Sequence, residues 1–248
     1  MNLKELLDNE YKAFSNEQGL NLAADPLQIA RTLQNPALML ACALFSYGNA
    51  KAIVKILGSL NFDNLSANKG KIYRFQNSSD CDEIFKIILK LSELDIEDII
   101  INGAKQGKEF YIENGINALI KKIYELSSYR SAGLEFYFGK SFETSPKSPL
   151  KRYNMWLRWL VRTSDIDLGL FRRISPRELI LPLDTHTHKV SLALGLCKRS
   201  QYDFKAAKEI TERLKEFDSD DPIKYDFALY RLGQSGKIKE LLKKSAKK

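Results

Sequence analysis

Cysteine is scarce in this chain: the three present, Cys42, Cys81 and Cys197, stand far apart and form no C-x-x-C pair. That pattern offers no disulfide framework and no zinc or iron–sulfur ligand set, and it points to a reducing interior. Long apolar runs are missing too, since nothing approaches the roughly 18 consecutive apolar residues of a membrane span. The polar start Met1-Asn2-Leu3-Lys4-Glu5 leads into no apolar stretch of the kind a secretory signal carries. Sustained apolar/polar alternation, the signature of a half-buried strand, is absent. So are internal repeats and low-complexity segments, apart from the lysine-rich end Lys243-Lys244-Ser245-Ala246-Lys247-Lys248, a solvated terminus with at most a minor contact to phosphate. Taken together, these absences predict a cytoplasmic, helix-rich protein with little or no sheet and no contact with a membrane.

What is present is enough apolar material for a core and an excess of positive charge. The chain has 248 residues, 44% of them hydrophobic, which suits one compact domain or two lobes and excludes a disordered binder. Lys and Arg number 39 against 31 Asp and Glu, a formal charge of +8 that favours a polyanionic partner.

Helical spacing recurs along the chain. Leu3, Leu6, Leu7, Tyr11 and Phe14 predict a helix to about Ser15, Asp25-Pro26 opens a short element, and Asn35-Pro36 opens an apolar one. Gly48-Asn49 marks a turn before a helix ending near Leu57, and Phe62 to Gly70 is a polar connection. Further helical patterns cover Asp80 to Leu91, Ile96 to Ile101, Phe110 to Leu126, Phe204 to Phe217, Pro222 to Leu232 and Ile238 to Leu242.

The chemistry is concentrated between Ser148 and Leu194. Ser148 as cap and Pro149 as first residue predict a helix with Lys151 in its first turn and an aromatic stripe of Trp156 and Trp159 behind it. In Leu181-Pro182-Leu183-Asp184-Thr185-His186 the same logic places Asp184 at the cap of a second helix. A lysine attacks an electrophilic carbon only when neutral; a helix N-terminus, the like charge of Arg152 and nearby aromatics all push toward that form. Asp184 could stabilise cationic charge developing on a sugar. From spacing alone, a surface Lys151 and a merely capping Asp184 remain the plainer alternative.

These same residues carry a resemblance. Leu181-Pro182-Leu183-Asp184-Thr185-His186 resembles the Pro-Val-Asp-x-His segment of the helix-hairpin-helix DNA glycosylases. That segment, with Leu150 to Trp159 and Asp221 to Leu229, is similar to a bacterial family of uncharacterised-domain proteins allied to the archaeal-type 8-oxoguanine DNA glycosylases. The similarity runs from Asn35 onward. It implies an all-α, two-lobed glycosylase-like fold without an iron–sulfur cluster. Residues 36–172 would form a central bundle carrying the lysine, and 1–35 with 173–248 a second lobe carrying the aspartate and the base-pocket helix.

The implied activity is base excision repair by a bifunctional DNA glycosylase and abasic-site lyase. Lys151 becomes the nucleophile at C1′ of an oxidised purine such as 8-oxoguanine, and Asp184 its electrostatic partner. The two lie 33 residues apart in sequence, and a long connection of this sort is a feature of the archaeal-type branch. Asp226 and Tyr230, spaced i,i+4, correspond to a base-binding polar residue and its stacking aromatic, with Phe227 as an alternative stacker. Asn49 would fill the duplex position vacated by the flipped base, while Ser148, Arg152 and His186 would contact DNA. The implied partner is double-stranded DNA holding a damaged base; no metal or cofactor is implied, and a nucleoid-associated monomer is the expectation. One departure is plain: Thr144-Ser145-Pro146-Lys147-Ser148-Pro149 stands where the superfamily has a glycine-rich hairpin. Lys147 and Lys140 are alternative nucleophiles close in sequence. A noncatalytic nucleic-acid-binding module, and a glycosylase for an alkylated or deaminated base, are the competing functional readings.

Overall fold

The computed structural model describes residues 2–235, and the predicted helix from Ile238 to Leu242 and the lysine-rich end lie outside the described residues. The chain is predominantly helical. In order come α1 (Leu3–Phe14), α2 (Glu17–Asn21), α3 (Leu27–Ala30), α4 (Pro36–Leu44), α5 (Ala50–Gly58), α6 (Ser78–Leu91) and α7 (Ile96–Ala104). A two-stranded antiparallel ribbon, β1 (Lys105–Gln106) and β2 (Glu109–Phe110), leads into α8 (Ile112–Glu125). Then follow α9 (Ala132–Phe138), α10 (Lys151–Val161), α11 (Thr185–Ala193), α12 (Phe204–Lys215) and α13 (Asp226–Ser235).

Side-chain caps set most starts. Asn2 and Asn77 each form a reciprocal capping box, and Asn16, Asn35, Asn49, Asp95, Ser131, Asp184 and Asp203 accept from first-turn N–H groups. α2 and α9, which the periodicity does not predict, are short helices begun by such caps. At 5 and 7 residues they are too short for a helical period to be read.

The chain divides into two compact units. One is built from 24–145 with 170–174, the other from 1–23, 146–169 and 175–248. In the first, α4 is apolar on nearly every side and correspondingly buried, and α7 packs on α8. Glycine makes that approach close: a Cβ on Gly115 would stand 2.5 Å from the Ile100 carbonyl oxygen, and one on Gly103 would stand 2.4 Å from Ala118 Cβ. Arg173 ties 170–174 into this unit through Asp95, Glu97 and Asp98. In the second unit α13 packs against α11 and α1, with Trp156 and Trp159 of α10 fully buried.

This grouping differs from the division expected at 35/36 and 172/173. Residues 24–35 go with the bundle because α3 packs on α4 and α5. α10 goes with the terminal segments because Arg158 on it and Arg162 at its C-cap are bound to Asp226 and Asp221 there. Lys151 and Asp184 therefore belong to one unit. Among the described residues no helix is long and apolar enough to cross a membrane.

Candidate active site

Lys151 opens α10, but not by the predicted cap. Ser148 is exposed, Pro149 precedes the helix, and the N-cap is Leu150, a non-glycine residue in the left-handed region at φ 51°, ψ 33° with no side-chain cap bond. The expected start was two residues early because the Ser-Pro pair imitates a cap and first position. Backbone of this kind costs on the order of 1–3 kcal/mol for a branched residue and persists only where the surroundings enforce it. Here Asn154 holds the entry, donating from its buried amide to the Pro149 carbonyl at 3.0 Å. The consequence is that Lys151, rather than Pro149, is the first helical residue.

Asp184 caps α11 as predicted. One carboxylate oxygen accepts from the Thr187 N–H at 2.7 Å, and the other lies 3.6 Å from Lys151 Nζ. The lysine side chain is 33% exposed and the aspartate 15%, so the pair is open to a ligand on one side and held by protein on the other. Tyr202 braces this edge. Its hydroxyl donates to the Leu183 carbonyl at 2.8 Å, and burial, with the Asp184 charge adding to it, pushes its pKa up to about 12. Lys147 is exposed, and Lys140, in the other unit, pairs with Glu135 at 2.9 Å.

Beneath the pair runs a ladder of charges that sequence reasoning missed. Arg158 donates to Asp226 at 2.6 Å and to Asp167 at 3.2 Å; Arg162, one turn on, donates to Asp167 and to Asp221, the latter at 2.8 to 3.0 Å. Asp167 is fully buried and both arginines nearly so. Burial works against the Arg162 charge, but Asp167 and Asp221 outweigh it and keep the guanidinium protonated. The readable signal was two arginines spaced i,i+4 on an otherwise apolar helix face, followed by an aspartate within one short loop.

Asp226 lies on the first turn of α13, 6% exposed. Burial pushes its carboxyl up to about 6 against the pull of Arg158, with the Asp184 charge reinforcing the rise and Lys151 opposing it. Asp226 thus shares an electrostatic environment with the lysine–aspartate pair, but its first engagement is with Arg158. Phe227 is buried with the guanidinium of Arg231 4.7 Å above its ring centroid and that of Arg158 at 5.9 Å. Tyr230 is half-buried, with its ring 6.4 Å from that of Phe227. Of the two candidate stackers, Tyr230 is the more accessible.

His186 is exposed in the first turn of α11, and Arg152 is half-buried in the first turn of α10. Asn49 belongs to the other unit, where its side-chain oxygen accepts from Lys51 and Ala52 as the cap of α5. Among the described residues no group of three or more His, Cys, Asp or Glu side chains is arranged to hold a metal ion.

No curated protein and no solved structure matches the chain. A family model does, described as a protein of unknown function, DUF2400, and the match covers residues 25–235, a span that includes Lys151, Asp184 and the whole arginine ladder. The chain therefore belongs to the DUF2400 family.

Proposed function

We propose that this protein is a DNA glycosylase with abasic-site lyase activity that excises an oxidised purine, 8-oxoguanine being the leading candidate, on a helix-hairpin-helix glycosylase-like fold without an iron–sulfur cluster. The observation that carries the reading is the 3.6 Å approach of Lys151 Nζ to Asp184 Oδ2 at the first turns of two helices. Amine and carboxylate are the two groups that base excision through a Schiff base requires, and both are partly exposed.

In this reading the damaged nucleotide leaves the stack, since the reacting C1′ cannot be reached within a duplex. Nζ passes a proton to the departing base, and the lone pair so freed bonds to C1′ as the glycosidic C–N bond breaks and its electron pair leaves with the base. Asp184 stabilises the positive charge that develops on the sugar. Ring opening gives an iminium between Nζ and C1′; loss of a C2′ proton then expels the 3′ phosphate, which keeps the C3′–O electron pair. Asp226 keeps acceptor capacity beyond its bond to Arg158, because an ionised carboxylate has about four lone-pair sites. It can therefore accept from N–H groups of an everted base while Tyr230 offers a ring face. An excess of cations suits duplex DNA as partner, with the bacterial nucleoid as the place of action.

Borohydride trapping on a duplex containing 8-oxoguanine tests this directly. Wild type is expected to form a covalent adduct, and Lys151→Gln to lose it while retaining DNA binding. Adduct formation by Lys151→Gln discards the lysine. A panel of alkylated, deaminated and oxidised duplexes assigns the lesion, and binding without base release from any of them overturns the enzyme reading in favour of a noncatalytic module.

A further inference from the structure

The unit formed by 24–145 and 170–174 carries an aromatic surface that the proposed chemistry does not use. Tyr73 and Gln76 pair across a tight turn whose tip is Arg74, in the left-handed region at φ 54°, and Phe75. Phe75 is 63% exposed, Ile72 67% and Phe136 of α9 41%. The rings are contiguous: Phe75 lies 4.6 Å from Phe136 and stacks at 6.1 Å on Tyr47, which meets Phe136 edge-on at 5.0 Å.

The surface is fixed before anything binds. Gln76 donates to the Gly133 carbonyl at 2.9 Å and accepts from the Tyr47 hydroxyl, so one buried amide joins the turn, α9 and the ring of Tyr47. A Cβ on Gly133 would stand 2.2 Å from Asp80 Oδ2 and 2.9 Å from the Phe75 carbonyl oxygen, so glycine is what admits both α6 and the turn so close to α9. Arg74 lays its guanidinium against Gly48, where a Cβ would come within 2.5 Å of it. Exposed aromatic rings held rigid lose little entropy when a flat ligand covers them.

Charge selects the ligand. Along the sequence from Ser46 to Gln76 there are five cations, Lys51, Lys55, Lys69, Lys71 and Arg74, and one anion, Asp63, and Arg74 stands at the tip of the turn next to Phe75. Glu135, beside Phe136 in sequence, is already paired with Lys140. Aromatic faces among cations suit a nucleic-acid strand, stacking on its bases and pairing with its phosphates. In an intact duplex the base faces are covered by their neighbours, so only unpaired bases can meet these rings.

We propose that Phe75 and Phe136, ordered by Gln76 and flanked by Arg74, form a stacking surface for unpaired bases of a DNA strand. The inference rests on the nucleic-acid half of the proposed function and not on its chemistry. The test measures binding of the full chain to labelled oligothymidylate of about 20 nucleotides and to an equally long abasic strand, which has the same charge but no bases. Wild type is expected to prefer the oligothymidylate. Phe75→Ala and Phe136→Ala should each weaken that binding by about tenfold and leave the abasic strand unaffected, whereas Phe75→Trp, which keeps an aromatic face, should retain it with its fluorescence quenched on binding. Equal binding of the two strands, or unchanged binding by both alanine variants, overturns the proposal. So does a dimer that Phe75→Ala dissolves, since the surface would then be a contact between two copies. Phe75 is too exposed for its loss to unfold the chain, and circular dichroism of each variant checks this. Loss of stacking in Phe75→Ala alongside a failure to trap any lesion would keep this inference and discard the glycosylase.

Discussion

Asp184 has two tasks, one for each carboxylate oxygen, and substitution separates them. Asparagine caps a helix as well as aspartate does, so Asp184→Asn should leave unfolding free energy within about 0.5 kcal/mol of wild type, whereas Asp184→Ala should lose about 1 kcal/mol. For base release under single-turnover conditions both should fall by roughly a hundredfold or more, because both lose the charge facing Lys151. A fall in Asp184→Ala alone would reduce the residue to a cap. Asp226 adds a pH dependence. Its folded pKa of about 6 lies above the ordinary 3.8, so its stabilising contribution is complete below about pH 4 and is lost as pH rises through 6. Urea unfolding should therefore show wild type gaining on Asp226→Asn as pH is lowered from 7 to 4, by on the order of 2 kcal/mol. A constant difference across that range would mean that Arg158 holds the carboxylate ionised throughout.

At the scale of the element, α10 shows how a helix can be legible in outline and hidden in detail. Its aromatic stripe and the position of Lys151 in the first turn follow from spacing. Its start does not, because the Ser-Pro signal is overridden by a left-handed Leu150 and the bond from Asn154 to the Pro149 carbonyl. Half of the ladder of Arg158 and Arg162 was equally hidden, since Asp167 follows within one short loop but Asp221 and Asp226, just before and at the start of α13, stand 59 and 68 residues from the arginines they bind. Removing one member of a buried network leaves its partners charged and unmatched. Asp167→Ala should accordingly cost about 3 kcal/mol in denaturant unfolding, several times the effect of removing an exposed partner such as Glu125, whose pair with Lys122 is a surface contact. Equal effects would show the ladder to be hydrated.

Across the whole molecule, one unit is assembled from three stretches of chain, 1–23, 146–169 and 175–248, and both Lys151 and Asp184, the residues of the proposed chemistry, lie in it. The family resemblance implied that lysine and aspartate come from different lobes, whereas the contacts between remote segments group 146–169 with 175–248. The sequence by itself determined the helical class, most helix positions, the turn at Gly48-Asn49, the cap at Asp184, and the two residues on which the chemistry is proposed to rest. These are local properties, since periodicity and capping act within a turn or two of the chain. Only the tertiary structure decided that Lys151 and Asp184 stand 3.6 Å apart, that Asp226 is bound to Arg158, that the Arg158 guanidinium lies over the ring of Phe227, and that Phe75 and Phe136 meet on one surface. Each is a contact between segments far apart in sequence, fixed by which helices pack together, and no local pattern encodes it.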